Sequence, residues 1–136
     1  MAVWDVEKDT KLCEINFGPN LEVLETNLRD DRLIASIGED DQDTVRVVDL
    51  ETGEELHRLV KTGVCISVVE MSPNIALVAV SYGNVVSLWD VKNEVIIKQL
   101  DLGNNDYRIN DLKFNPSGDI LLVGSDSGEI FKVDME

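Results

Sequence analysis

The sequence predicts an all-β protein made of repeated antiparallel sheets, and three observations lead to this prediction. Alternating apolar residues that end near an aspartate occur four times, at residues 2–6, 45–50, 85–91 and 130–135. The aspartates that end these phrases are Asp5, Asp49, Asp90 and Asp134. They lie about 41 to 44 residues apart, the period of a four-stranded propeller blade. No segment has a useful length of helical periodicity, so we expect a partial β-propeller of about three four-stranded blades.

Two features of these phrases resemble the WD-repeat β-propeller family. Trp4-Asp5 and Trp89-Asp90 are similar to the Trp-Asp pair of a repeat, and residues 114–130 are similar to its later strands and turns. The resemblance covers nearly all of the chain and implies one propeller segment, 1–136. Its repeat units are about 7–50, 51–91 and 92–135, preceded by one strand at 2–6. The residues of the repeat signature are Trp4, Asp5, Asp49, Trp89, Asp90 and Asp134.

The polar hallmark of the family is only partly present. The resemblance implies a buried set in each repeat, formed by a His from a Gly-His pair, a Ser or Thr, an Asp and the Trp. Ser125, Asp126 and Asp134 fit this set in the last unit, but Val133 stands in place of the Trp. The chain has no Gly-His pair, and its one histidine, His57, is expected to be solvated in an outer strand. We therefore expect the blades to depend on apolar packing.

The order of predicted strands leaves the two ends unequal. About thirteen strands group into two complete four-stranded sheets, an N-terminal pair and a C-terminal sheet of three. Unfinished ends expose sheet edges and apolar faces, which promote association. The chain is then either one arc of a longer propeller or half of a six-bladed ring closed by two copies. In the ring, 2–6 and 130–134 claim the same strand position, and this redundancy favours the arc.

Charge and cysteine content limit the classes of partner. With 27 acidic and 12 basic residues the net charge is −15, which repels nucleic acid and anionic membranes. The expected partner is a protein or peptide, possibly basic, although acidic residues distributed over the surface for solubility would explain the same charge.

The uncharged stretch 71–89 is interrupted by turn residues and is expected to be blade core. Cys13 and Cys65 are expected to be reduced, in a cytoplasmic or nuclear, intracellular setting.

Nothing in the sequence indicates catalysis, a cofactor or a metal. The acidic stretch 39–43 could attract a hard cation, but it lacks the aspartate spacing and turn glycine of a calcium loop. The glycines are scattered at turns and form no phosphate-binding loop. We therefore expect the protein not to be an enzyme.

The resemblance also implies a binding face. There, the loops that lead from the outer (fourth) strand of one blade to the inner (first) strand of the next meet the turns between second and third strands. Its candidate residues are Lys61, Asn105, Asp106, Tyr107, Arg108, Asp40, Asp41, Asn84 and Asp126. Tyr107 and Arg108 stand out because Tyr and Arg are frequent among residues that dominate interface energies. The alternative is that Tyr107 packs on a neighbouring blade and Arg108 neutralises nearby acid.

Two functions are compatible with this sequence. The first is a noncatalytic protein-interaction module, a scaffold or substrate-recognition part of a larger intracellular complex. The second is a half-propeller that associates with a second copy through its open blade ends.

Overall fold

The computed structural model describes residues 2–15, 22–29, 32–39, 42–49, 52–60, 65–103 and 108–135. All thirteen elements in these ranges are strands, which confirms the all-β prediction. They are β1 (Ala2–Asp5), β2 (Thr10–Glu14), β3 (Glu22–Arg29), β4 (Arg32–Glu39), β5 (Gln42–Asp49), β6 (Glu55–Val60), β7 (Val68–Met71), β8 (Leu77–Tyr82), β9 (Val85–Asp90), β10 (Val95–Asp101), β11 (Ile109–Phe114), β12 (Ile120–Ser125) and β13 (Ile130–Asp134).

The strands form four antiparallel sheets in chain order. The first blade is the pair β1–β2, the second is β3–β6, the third is β7–β10 and the fourth is β11–β13. Two described blades are therefore complete, the first holds only its last two strands, and the fourth holds only its first three. This confirms the predicted grouping into two complete four-stranded sheets, an N-terminal pair and a C-terminal sheet of three.

The hydrophobic core lies between neighbouring blades, and strand β8 shows why. Side chains alternate across a strand, so Val78 and Val80 join a cluster with Val47 of the second blade. Ala79 points the other way and joins a cluster with Leu112 of the fourth blade. The apolar run of β8 is thus buried on both faces. Each fully buried branched side chain contributes about 1.5–3 kcal/mol.

A β-bulge recurs where the third strand of a blade pairs with the fourth. The register skips one residue at the same place in the first three blades: Leu12, Leu56 and Ile97. A bulge bends the strand and increases its twist. The repeated phrase therefore produces the same local distortion in successive blades.

The repeated aspartate caps the turn into the fourth strand. The Asp5 carboxylate accepts hydrogen bonds from the backbone N–H groups of Glu7 and Lys8, both at 3.1 Å. Asp49 accepts from Thr52 at 3.3 Å. Such local bonds satisfy turn donors that have no ladder partner. The fourth copy differs, because Asp134 instead pairs with Lys132 at 3.2 Å in this structure.

The inner strand of the third blade begins later than the sequence pattern suggests. Residues 64–69 alternate as a strand should, but β7 spans Val68–Met71. The buried Ser81 hydroxyl accepts from the Val68 N–H at 3.1 Å, which marks the start of regular pairing. Cys65 therefore precedes the strand and is exposed, while Cys13 is half-buried, and both are free thiols. No helix in the described ranges is long and apolar enough to cross a membrane.

Candidate interaction site

The predicted binding face begins at the tight turn between β8 and β9. The Gly83 carbonyl accepts from the Ile109 N–H at 3.1 Å, and the Asn84 carbonyl accepts from the Leu102 N–H at 3.1 Å. Leu102 and Ile109 lie on either side of the connection from β10 to β11. The β8–β9 turn is therefore hydrogen-bonded to the connection between β10 and β11, which leads from an outer strand to the inner strand of the next blade. Both lie at the same end of the blades.

The turn between β12 and β13 joins the same face through Asp126. Its carboxylate accepts from the Arg108 N–H at 3.0 Å, and its own N–H donates to the Arg108 carbonyl at 2.9 Å. The backbone of Arg108 is thereby fixed at the start of β11, while the residue as a whole is exposed. We call the surface formed by Asn84, Asp101, Arg108 and Asp126 the loop face.

Asp101 is a member of the loop face that the sequence interpretation missed. Its carboxylate accepts from the Asn84 side-chain amide at 3.2 Å and from the Gly103 N–H at 2.8 Å. Asp101 ends the outer strand β10. The glycine two residues later, Gly103, was the sequence feature that could have drawn attention to it, and in the structure this glycine adopts φ of 73° in the turn. The loop face therefore carries carboxylates from two blades.

The remaining predicted binding residues lie outside the described residues. They are Asp40, Asp41, Lys61, Asn105, Asp106 and Tyr107. Their roles stay predictions. So does the choice for Tyr107 between docking a partner and packing on a neighbouring blade.

A cavity of about 390 Å³ lies on the opposite face, between the second and third blades. It opens beside the turns β7–β8 and β9–β10, which lie at the other end of the antiparallel strands. Its walls are Val47, Leu56, His57, Ile75, Ala76, Leu77, Asp90, Val91 and Lys92. No sequence pattern pointed to it, because its two sides come from different blades.

The expectation that His57 is merely solvated is wrong. Its Nδ1 lies 3.1 Å from Glu94 Oε1, and the imidazole is only 28% exposed. Glu94 also accepts from the Arg58 N–H at 3.4 Å. Because Glu94 belongs to the third blade and His57 to the second, this contact ties the two blades together beside the cavity.

Buried charge in the second blade was also missed by the sequence interpretation. The Arg46 side chain is 3% exposed and its Nη1 lies 2.9 Å from Glu55 Oε2. Burial alone would raise the pKa of Glu55, but hydrogen bonds from Arg58 and Arg46 outweigh it and hold that pKa below its ordinary value. A single charged residue inside an alternating strand gives no signal of burial.

The two ends of the chain expose unlike surfaces. At the first blade, Trp4 is 53% exposed and Leu12 56%. At the fourth blade, Ile130 is 74% exposed, and Lys132 occupies the strand position that the buried Leu88 holds in the third blade. One end is thus apolar and the other mixed.

Protein metal sites are built from clusters of His, Cys, Asp and Glu side chains. The described ranges hold no cluster of three such side chains that could bind a metal ion. The side chains of the acidic stretch 39–43 lie outside what the structure describes.

Comparison with known proteins bears on the fold. The chain is similar to the solved structure of the Dos1 propeller, with a TM-score of 0.84 and 18% sequence identity, over 98% of this chain and 36% of that chain. In total, 628 chains of solved structures match it. No family model and no curated protein matches the chain. The chain therefore has a β-propeller fold and spans about a third of the length of that Dos1 chain.

Proposed function

We propose that this chain is a noncatalytic protein-interaction module of the WD-repeat type, one arc of a larger intracellular scaffold or substrate-recognition assembly. The observation that carries the proposal is the loop face. There, backbone hydrogen bonds of 2.9–3.1 Å hold three connections from two blades together. A preorganised surface loses less entropy on binding than free loops would.

Charge supports a basic protein segment as the partner. The loop face presents Asp101 and Asp126, and the whole chain carries a net charge of −15. Complementary charge accelerates encounter and disfavours like-charged partners such as nucleic acid or anionic membranes. A setting in the cytoplasm or nucleus is consistent with the free thiols of Cys13 and Cys65.

Affinity capture from a lysate, followed by titration of the purified partner, tests this function. Tyr107→Ala is expected to weaken binding by about 2 kcal/mol, roughly thirtyfold, because a large aromatic contact is removed. Val95→Ala is the matched control, since Val95 is half-exposed on the outer strand β10 away from the loop face. Equal affinity of the Tyr107→Ala variant and the parent chain would contradict a docking role for Tyr107.

Self-association is the second candidate, and the exposed Trp4 and Ile130 favour it. A half-propeller that closes with a second copy would bury both. Light scattering distinguishes the candidates: a dimer mass that is constant with concentration supports the ring, and a monomer supports the interaction module. Lys132 argues against the ring, since closing it would bury a lysine where the third blade has a leucine.

A further inference from the structure

We propose that the cavity between the second and third blades binds an arginine or lysine side chain of a basic protein partner. This inference rests on the proposed function as a protein-interaction module, but it assigns a second site on the face opposite the loop face. The aliphatic stem of the ligand side chain would lie in the cavity, and its cationic head would meet Asp90.

The walls of the cavity suit an aliphatic stem. Leu56 comes from the second blade, while Ile75 and Val91 come from the third. Lysine and arginine bury their methylene chains along apolar surface and keep the charged head at its edge. About 390 Å³ lies at the lower end of the range of ligand pockets, which is enough for one long side chain.

Asp90 supplies the anion. Its Oδ1 accepts from the Asn93 N–H at 3.1 Å and its Oδ2 accepts from the Asn93 side-chain amide at 2.8 Å. These bonds hold the pKa of Asp90 below its ordinary value. The Lys92 N–H also bonds this carboxylate. A carboxylate has about four acceptor positions, so three bonds leave capacity for a guanidinium or ammonium donor.

The backbone at Ile75 gives an independent observation. Ile75 has φ of 63°, a left-handed conformation that is unfavourable for a β-branched residue. The matching turn of the fourth blade, which has the same backbone hydrogen bond, holds Gly118 there, with φ of 78°. Strained residues persist where the surrounding structure holds them, often at binding sites. Here the Ile75 side chain packs on the core cluster and forms a cavity wall.

The other charges at the cavity define its selectivity. Lys92 lines the opening and is exposed, and its charge interacts with Asp90, so it opposes the binding of a cationic ligand. Glu94 lies beside the rim and is in contact with His57 at 3.1 Å. Removing Lys92 should therefore strengthen binding, whereas removing the charge of Asp90 should weaken it.

An NMR titration of the ¹⁵N-labelled chain tests the site with three probes. These are the capped pentapeptides Gly-Ser-Arg-Ser-Gly, its lysine counterpart and its glutamate counterpart. The arginine and lysine peptides are expected to shift the amide signals of Ile75, Ala76, Leu77, Val91 and Lys92, and the glutamate peptide is not. NMR suits this test because a single side chain binds weakly.

Variants identify the groups responsible. Asp90→Asn keeps an acceptor for the turn but removes the charge, and should weaken binding by roughly tenfold or more. Ala76→Phe should abolish binding by filling the cavity. Asp49→Asn is the matched control, because Asp49 caps the equivalent turn of the second blade but does not line the cavity. Lys92→Ala should bind the arginine peptide more tightly.

Other outcomes would overturn the inference. Equal shifts with the glutamate peptide, or no shifts with any peptide, would exclude a cationic side-chain site. Shifts confined to Asn84, Arg108 and Asp126 would place binding on the loop face, which removes the cavity site and leaves the proposed function intact.

Discussion

Trp89 and Trp4 occupy the same position of the repeated phrase but very different surroundings. Each precedes the turn-capping aspartate and lies beside the bulge in its blade. Trp89 is 6% exposed within the cluster between the second and third blades, whereas Trp4 is 53% exposed. The local structure is therefore common to both, and the difference comes from the neighbouring blade. A repeat specifies its own strands, but burial requires the next repeat.

A leucine and a lysine at equivalent positions of the third and fourth blades show the same dependence on a neighbouring blade. Leu88 is fully buried against the fourth blade, and the equivalent Lys132 lies on the outward face of that blade. A lysine at an interior position would lose its hydration without a partner. The charge at Lys132 is tolerated because no described blade covers it.

The tryptophan comparison gives the largest expected effect. Trp89→Ala should lower the free energy of unfolding by about 3–5 kcal/mol, since it leaves a cavity in the inter-blade core. Trp4→Ala should cost less than about 1 kcal/mol, because it removes an exposed ring that contacts Lys11 at 5.9 Å. Urea denaturation followed by circular dichroism measures both. Equal losses would show that Trp4 is buried in solution by a further blade or a second copy.

A similar comparison of ion pairs gives an intermediate effect. Glu55→Gln should cost about 2 kcal/mol, because it takes a carboxylate from the buried Arg46 guanidinium. Asp134→Asn is the control at the end of the chain and should cost less than about 0.5 kcal/mol, since its contact with Lys132 is exposed. Thermal unfolding at neutral pH measures the difference.

The pH dependence of the Glu55→Gln effect follows from the lowered pKa of Glu55. A carboxyl group with a depressed folded-state pKa adds stability above its unfolded-state pKa of about 4. That contribution is lost as the pH falls through the lower folded-state value. The stability gap between the parent chain and the variant should therefore be constant from pH 7 to about 5 and shrink under acid. A gap that is unchanged at pH 3 would assign the effect to packing.

The smallest expected effect concerns association at the last blade. Lys132→Leu gives the fourth blade the leucine that the third blade has at the equivalent position. The new side chain would form an exposed apolar patch with Leu122 and Ile130. The mass from light scattering should rise with concentration, while stability should change by less than about 0.5 kcal/mol. Lys98→Leu, an exposed lysine on the outer strand β10, is the control and should leave the mass unchanged. The same rise in both variants would indicate nonspecific aggregation.

Periodicity was sufficient to predict much of the fold. Alternation in the repeated phrase at residues 85–91 predicted β9, because successive side chains of a strand point to opposite faces. The uncharged stretch 71–89 predicted blade core, and β8 within it carries an apolar run because the strand is buried on both faces. The start of β7 was misplaced, because ladder pairing begins only at Val68, opposite Ser81, which is thirteen residues away along the chain. Of the loop face, Asn84, Arg108 and Asp126 were implied by the resemblance to WD-repeat propellers, and Asp101 was missed.

The amino-acid sequence by itself determined the period, the strand order, the capped turns and the acidic charge, because each depends on residues close together along the chain. Only the tertiary structure decided that Arg46 is buried, that His57 contacts Glu94 and that a cavity opens beside Asp90. These features arise where two blades meet. Contacts between residues far apart in the chain have no periodic signature, so packing of the blades, and not the repeat, creates them.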